Sequence, residues 1–348
     1  MRLFLLPSIL FLVIAFTRGP PAALASSGDR SDEFQRCLDR CTRQACTADG
    51  RHVLATDPDS APRPPLPLPL ALRLTRWTCA DDCKYACMHA LTDLAAESGV
   101  PMQQFYGKWP FWRLAGMQEP AAVAFSLANL LMHVLGVDWL RRGVHPAHPM
   151  RPFYLTWAYA SINAWVWSAV FHTRDTPLTE KLDYFSAALA ILYALYMTVV
   201  RLLHLYPGTP AFPGRPERRA FLYVWRALAV VAYIGHVSYL ALAPRFDYTY
   251  NIVFNVVLGL VHHAMWVQFA VPGSSPLNRY AAMPGSYPAL TVALTTAATA
   301  LELFDFQPWG RVLDAHALWH LATAPLAVLW YDFLLRDAQD AGWRGRRL

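Results

Sequence analysis

Long apolar segments separated by polar connections fill most of the chain after residue 118. Each segment is close to the about 20 residues that an α-helix needs to cross a lipid bilayer. Most connections are short, which favours antiparallel neighbours in an up-and-down bundle. The predicted spans lie at about 119–140, 152–172, 182–203, 220–241, 250–271, 287–304 and 315–335. We therefore expect an all-α membrane protein with a seven-transmembrane helix bundle.

A shorter apolar stretch at the amino end has the features of a secretory signal. Arg2 precedes the apolar stretch, and the small residues Ala23 and Ala25 offer a cleavage site. An uncleaved anchor is the alternative interpretation. The expected organisation is a signal peptide at 1–25, a lumenal cysteine-rich domain at 26–115, a seven-span domain at 116–336 and a cytosolic tail at 337–348.

All six cysteines lie in the predicted lumenal domain, in two groups with a proline-rich linker at 62–69 between them. Within each group the spacing is close to one helical turn, which indicates two short helices joined side by side. An even number of cysteines behind a signal peptide favours disulfides, whose pairing the sequence leaves open. A zinc site is the competing interpretation, but it would need C-x2-C spacing. The cysteines are Cys37, Cys41, Cys46, Cys79, Cys83 and Cys87.

Composition and charge support the membrane assignment. Hydrophobic residues make up 55% of the chain and charged residues 16%, whereas about a quarter of a soluble domain is charged. The net charge of +6 comes from basic residues placed between the apolar segments, and without an interleaved basic and aromatic patch it does not indicate nucleic-acid binding. With a lumenal amino end, 12 basic residues fall on cytosolic segments and 4 on the lumenal connections between spans, as the positive-inside rule requires.

Five polar residues are predicted to lie at the same depth, near the lumenal membrane face. Ser168 and His172 end the second span, Asp183 begins the third, and His316 and His320 begin the seventh. The two i, i+4 pairs each share one helix face. Ionisable side chains inside membrane spans are costly, so their presence is itself a sign of function.

Three neutral imidazoles with an open fourth position suit a catalytic zinc ion. His172, His316 and His320 are the expected ligands, Asp183 would orient or deprotonate a water, and Ser168 would stabilise an oxyanion. Structural roles remain open for the same residues: helix-interface polar groups for the histidines, small-residue packing for Ser168 and a first-turn acid for Asp183. Asp314 is a weaker candidate for supporting the site.

Several motifs together resemble the Per1-like family, over nearly everything from Ser26 to about Arg336. The motifs are Trp77–Cys79, Asp81–Tyr85, Gly107–Phe111, Asn163–Trp165, Phe171–Asp175, Arg245–Tyr248 and Leu313–His316. The family is part of a wider group of seven-span metal-dependent hydrolases that includes the alkaline ceramidases and the adiponectin-receptor-like proteins. Ser168, His172, Asp183, His316 and His320 match the ceramidase zinc-site pattern position by position.

The resemblance implies a phospholipase A2 activity that removes the unsaturated sn-2 acyl chain from glycosylphosphatidylinositol (GPI) anchors. The implied partners are GPI-anchored proteins and their phosphatidylinositol lipid, the implied cofactor is Zn²⁺, and the implied location is the Golgi membrane or the endoplasmic reticulum. The alternatives are a ceramidase-like amidase and a non-catalytic seven-span receptor or chaperone for anchored proteins. The oligomeric state stays open.

Overall fold

The computed structural model describes residues 26–47, 68–208, 218–270, 286–303, 305–339 and 343, and every described element of regular structure is a helix. The predicted signal peptide, most of the proline-rich linker and most of the tail lie outside these residues. The described helices are α1 Ser27–Arg30, α2 Asp32–Ala45, α3 Leu70–Leu74, α4 Cys79–Glu97, α5 Pro120–Gly143, α6 Arg151–Thr173, α7 Pro177–Leu202, α8 Arg219–Leu242, α9 Tyr248–Ala270, α10 Ser286–Leu303 and α11 Ala315–Gln339.

The seven long helices α5 to α11 lie at the positions of the seven predicted spans. Among the described residues, five of them are long and apolar enough to cross a membrane: α5, α7, α8, α9 and α11. Helix α10 is a shorter apolar helix over Tyr287–Leu301, and α6 carries several tryptophans, tyrosines and polar residues. A multi-pass membrane protein is thus supported, and the crossing of all seven helices stays a prediction.

Helix α5 lies between the two helices that carry the candidate histidines. It packs against α6 on one side and α11 on the other, and the ring of contacts continues from α6 through α7, α9 and α10 back to α11. Gly136 allows the close approach of α5 and α11, because a Cβ atom at this position would collide with the Tyr331 ring. Helix α8 packs mainly on α7, outside this ring.

The residues before α5 form a cap on one end of the bundle, which we define as 26–47 and 68–117. Three nested disulfides join α2 to α4: Cys37–Cys87, Cys41–Cys83 and Cys46–Cys79. The two predictions, of paired helices joined side by side and of cysteines used in disulfides, are therefore confirmed. Thr78 and Asp81 form a capping box that starts α4, which stabilises a helix of otherwise mixed polarity.

Candidate metal centre

Three histidine side chains meet at the end of the bundle covered by the cap, and we call them the histidine cluster. His172 comes from the last turn of α6, and His316 and His320 come from the first turns of α11. The His316 Nε2 atom lies 3.3 Å from His172 Nε2 and 2.9 Å from His320 Nε2. His172 and His320 are buried, while His316 is half-buried. His316 is therefore the most exposed member of the cluster.

Neighbouring groups decide which nitrogen of His172 and His320 carries the proton. Nδ1 of His172 lies 3.0 Å from Glu119 Oε2, and since an ionised carboxylate only accepts, Nδ1 donates. Nδ1 of His320 lies 2.9 Å from Ser126 Oγ, whose own proton goes to the Ala122 carbonyl at 2.7 Å. Both rings therefore turn an unprotonated Nε2 toward the middle of the cluster.

This arrangement fits a cation. Two imidazole lone pairs held about 3 Å apart repel each other unless a proton or a metal ion lies between them, and a metal ion can lie between all three rings at once. Nitrogen ligands at about 2.0–2.1 Å from a tetrahedral zinc ion are themselves about 3.3 Å apart, close to the 2.9 and 3.3 Å separations measured here. The three histidines are also the one group of imidazoles in the described residues whose candidate ligand atoms all lie within 4.8 Å of one another.

The two other residues predicted for the site lie at the same end of the bundle. Ser168 is buried one turn before His172, and its hydroxyl lies 3.0 Å from Ser126 Oγ. Asp183 is half-buried in the second turn of α7, and its carboxylate is not a member of the group of ligand atoms within 4.8 Å. Asp314 caps α11, since its Oδ1 accepts from the Ala317 N–H at 2.8 Å.

The comparisons with known proteins agree with the motifs. The sequence profile of the Per1-like family matches residues 69–338. The chain belongs to the Per1-like family. It is 38% identical over 313 residues to "Protein PER1 homolog" of Schizosaccharomyces pombe, covering 90% of this chain and 87% of the relative. It is 39% identical over 312 residues to "Post-GPI attachment to proteins factor 3" of Drosophila melanogaster, with 89% of each covered. It is 38% identical over 320 residues to human "GPI-specific phospholipase A2-like PGAP3", with 91% of each covered.

In this Per1-like protein, sequence reasoning missed the residues that support the histidines from α5. Glu119, Ser126 and Asn129 share one face of the first predicted span, because their spacings of seven and three residues match the helical repeat. Asn129 donates to the backbone carbonyl of His320 at 2.7 Å. All three side chains are buried. A stripe of buried polar residues in an apolar helix was the signal that could have found them.

Ion pairs fix the cap on the histidine end of the bundle. Arg174, after α6, bonds Asp81 at 2.7 Å, and Arg311, before α11, bonds Asp93 at 2.6 Å. Burial would raise the pKa of Asp81, but hydrogen bonds from Thr78 and the Arg174 charge bring it below its ordinary value. The loops on either side of the histidine helices are thus held by the cap.

Proposed function

We propose that this chain hydrolyses the sn-2 acyl ester of GPI-anchored proteins and leaves a lyso-GPI anchor, as a metal-dependent phospholipase A2. The convergence of three imidazole Nε2 atoms at one end of the bundle carries the proposal. The names of relatives that match nine-tenths of the chain, "GPI-specific phospholipase A2-like PGAP3" among them, support the substrate.

His172, His316 and His320 would hold the ion through Nε2. Zinc bound there would supply a Lewis acid and lower the pKa of a water to about 7. Glu119 and Ser126 orient two of the three rings through their Nδ1 protons. Such hydrogen bonds fix the tautomer and make a histidine a better ligand.

Ser168 and Asp183 are the proposed catalytic residues. Ser168 lies beside the cluster and donates to Ser126 Oγ; with an ester bound, its hydroxyl would turn and donate to the oxygen that gains negative charge at the ester carbon. Asp183, at the same end of the neighbouring helix, would accept the proton of the attacking water. The half-buried His316 supports an approach of the ester from the side of α11.

The membrane arrangement follows from the same proposal. The cap lies in the lumen of the Golgi, with the endoplasmic reticulum as the alternative, and the carboxyl end lies in the cytosol. The sn-2 ester of a lumenal-leaflet lipid sits just below its headgroup, which is the depth proposed for the histidine cluster. The proposed domains have the boundaries predicted from the sequence, with a lumenal domain at 26–115 that holds nearly all of the cap and a hydrolase domain at 116–336.

Zinc content and lyso-lipid release, measured on the same purified samples, test the proposal. We expect about one zinc per chain in the wild type, and loss of both zinc and release in His316→Ala and His172→Ala. His133→Ala is a matched control, since His133 is a buried histidine that bonds Tyr331 Oη at 2.8 Å outside the cluster. Folded wild-type protein without zinc, or release retained in His316→Ala, would refute the metal role and favour a receptor or chaperone.

A further inference from the structure

Glu119 is joined to His172 by two hydrogen bonds. Its backbone N–H donates to the His172 carbonyl at 3.1 Å, while its Oε2 accepts from His172 Nδ1 at 3.0 Å. The preceding residue, Gln118, donates in the same way to the Thr173 carbonyl at 3.1 Å. The segment before α5 therefore runs along the last turn of α6, and the Glu119 carboxylate sets the orientation of the His172 ring.

The second oxygen of that carboxylate accepts from a lysine of the cap. Lys108 Nζ bonds Glu119 Oε1, lies 3.2 Å from Asp175 Oδ2 and sits 4.1 Å from the centre of the Phe171 ring. Burial would lower the pKa of Lys108, but Glu119 and Asp175 raise it above its ordinary value. The ammonium separates two carboxylates that would otherwise repel each other beside the histidine cluster.

The position of Lys108 depends on the disulfide-linked part of the cap. Lys108 closes a tight turn with Phe105, with reciprocal backbone bonds of 2.8 and 3.0 Å, and Gly107 in the turn has a φ of +80°. The Phe105 ring lies 5.3 Å from the ring of Phe34 and packs with Cys87. The disulfide-bonded helices α2 and α4 therefore determine where the ammonium meets Glu119.

We propose that Lys108 is a positioning residue of the candidate metal centre and that the cap thereby forms part of it. Lys108 holds the Glu119 carboxylate in place, and Glu119 holds the His172 ring with Nε2 toward the ion. This inference rests on the proposed function and deepens it. Lys108 lies in the cap, so the hydrolase domain alone lacks the cation that orders Glu119.

Zinc affinity of full-length variants, measured by competition with a chelator, tests the inference. Glu119→Ala is expected to weaken zinc binding by about 10–100-fold, as for other carboxylates behind a histidine ligand. Lys108→Met is expected to weaken it by up to about tenfold, and the double variant to bind no worse than Glu119→Ala, because Lys108 acts through Glu119. Lys84→Met is the matched control, since Lys84 pairs with Asp81 at 3.2 Å elsewhere in the cap.

In a second pair of variants, the Lys108→Met substitution is expected to raise zinc affinity, whereas in the wild-type background it lowers it. The Glu119→Gln amide can still accept from His172, but its NH₂ group then faces the Lys108 ammonium, so zinc binding should weaken. Adding Lys108→Met to Glu119→Gln removes the second donor and should restore part of the affinity. Absorption spectra of the cobalt-substituted proteins should shift in the weakened variants, which loss of fold alone would not cause.

The outcomes separate this inference from the proposed function. Three outcomes would overturn the role of Lys108 and leave the proposed function untouched. Lys108→Met could keep the wild-type zinc affinity, or it could add its full loss to that of Glu119→Ala. Lys108→Met could also fail to restore affinity to Glu119→Gln. The proposed function would stand if His316→Ala still lost its zinc. A wild type that takes up no zinc would overturn both.

Discussion

Two buried polar clusters lie at opposite ends of the same helices, and their bonding differs. At the end away from the cap, Arg201 of α7 binds Asp337 of α11 through Nε and Nη2 at 2.8 and 2.6 Å, and Tyr154 of α6 donates to Asp337 at 2.8 Å. Asp337 lies 17 residues after His320, or about 25 Å along the helix. We call this set the arginine–aspartate cluster.

The difference lies in whether the partners complement each other. In the arginine–aspartate cluster a cation meets an anion and a hydroxyl meets a carboxylate, all buried. In the histidine cluster, the Nε2 atoms of three imidazoles face one another, while Glu119 and Ser126 bond the Nδ1 atoms of two of the rings. Most of these polar side chains are buried at both ends, so burial alone does not separate a structural ion pair from a candidate ligand site, whereas the complementarity of the partners does.

The largest effect on stability is expected from breaking the arginine–aspartate cluster. Arg201→Met leaves a buried carboxylate without its cation, which typically costs about 3–5 kcal/mol of unfolding free energy. The unfolding midpoint in detergent should fall, while zinc bound per folded molecule stays at the wild-type value. Replacing both partners, as in Arg201→Met with Asp337→Leu, should recover most of the loss.

An exposed ion pair on α11, the helix of Asp337, is the control for Arg201. Arg336 bonds Asp332 at 2.7 Å, with side-chain exposures of 58% and 39%, so Arg336→Met should leave the midpoint unchanged. An unchanged midpoint in Arg201→Met would show that the arginine–aspartate cluster does not stabilise the end of the bundle away from the cap.

A single hydroxyl at each end gives an intermediate effect and a direct contrast. Ser126→Ala removes the acceptor of His320 Nδ1 and should weaken zinc binding by about 10–100-fold. Tyr154→Phe removes a bond to Asp337 and should lower stability by about 1–2 kcal/mol without changing zinc affinity. Chelator competition and unfolding, measured on both variants, check the pair.

Ser161→Ala, a buried serine seven residues before Ser168, is the control for Ser126→Ala and should keep the wild-type affinity. If Tyr154→Phe weakens zinc binding as strongly as Ser126→Ala does, the two clusters do not have the separate roles described above.

The smallest expected effect is on the pH dependence of stability, through a histidine at the contact between the cap and the histidine end of the bundle. His89 donates from Nε2 to the Phe111 carbonyl at 3.1 Å, and its Nδ1 accepts from Arg311 at 3.1 Å. Burial lowers the pKa of His89 below its ordinary value near 6.5. The charges of Arg311 and Arg113 act in the same direction, and the charge of Asp93 opposes them. The folded state therefore binds fewer protons than the unfolded state, and stability falls as the pH drops below about 6.5.

His89→Gln should make the unfolding midpoint less sensitive to pH between about 7.5 and 5.5, because glutamine does not titrate there. The measurement is a series of thermal unfolding curves for both proteins. Equal slopes would show that another group carries the acid response.

Much of the architecture could be predicted because it depends on local patterns. Apolar length located the seven long helices, and one-turn cysteine spacing indicated the paired helices of the cap. The i, i+4 spacing of His316 and His320 on α11 named two of the three clustered histidines, and the shared depth of His172 suggested the third. These features need no knowledge of which helix packs against which.

The partners of the supporting residues could not be predicted in this way. A polar stripe at helical spacing marks Glu119 and Ser126 as candidates, but no local pattern says that their partners lie 53 and 194 residues away in sequence. Lys108, 11 residues before Glu119, has no such signal at all. The cysteine pairing and the Arg201–Asp337 bond likewise join distant segments.

The sequence by itself thus determined a helical membrane protein of the Per1-like family with a cysteine-rich cap and a set of candidate histidines. Only the tertiary structure decided that α5 stands between α6 and α11 and that the cap delivers Lys108 to Glu119. The physical reason is that apolar length and helical spacing act within one segment. A hydrogen bond between segments depends on close packing that no single segment encodes.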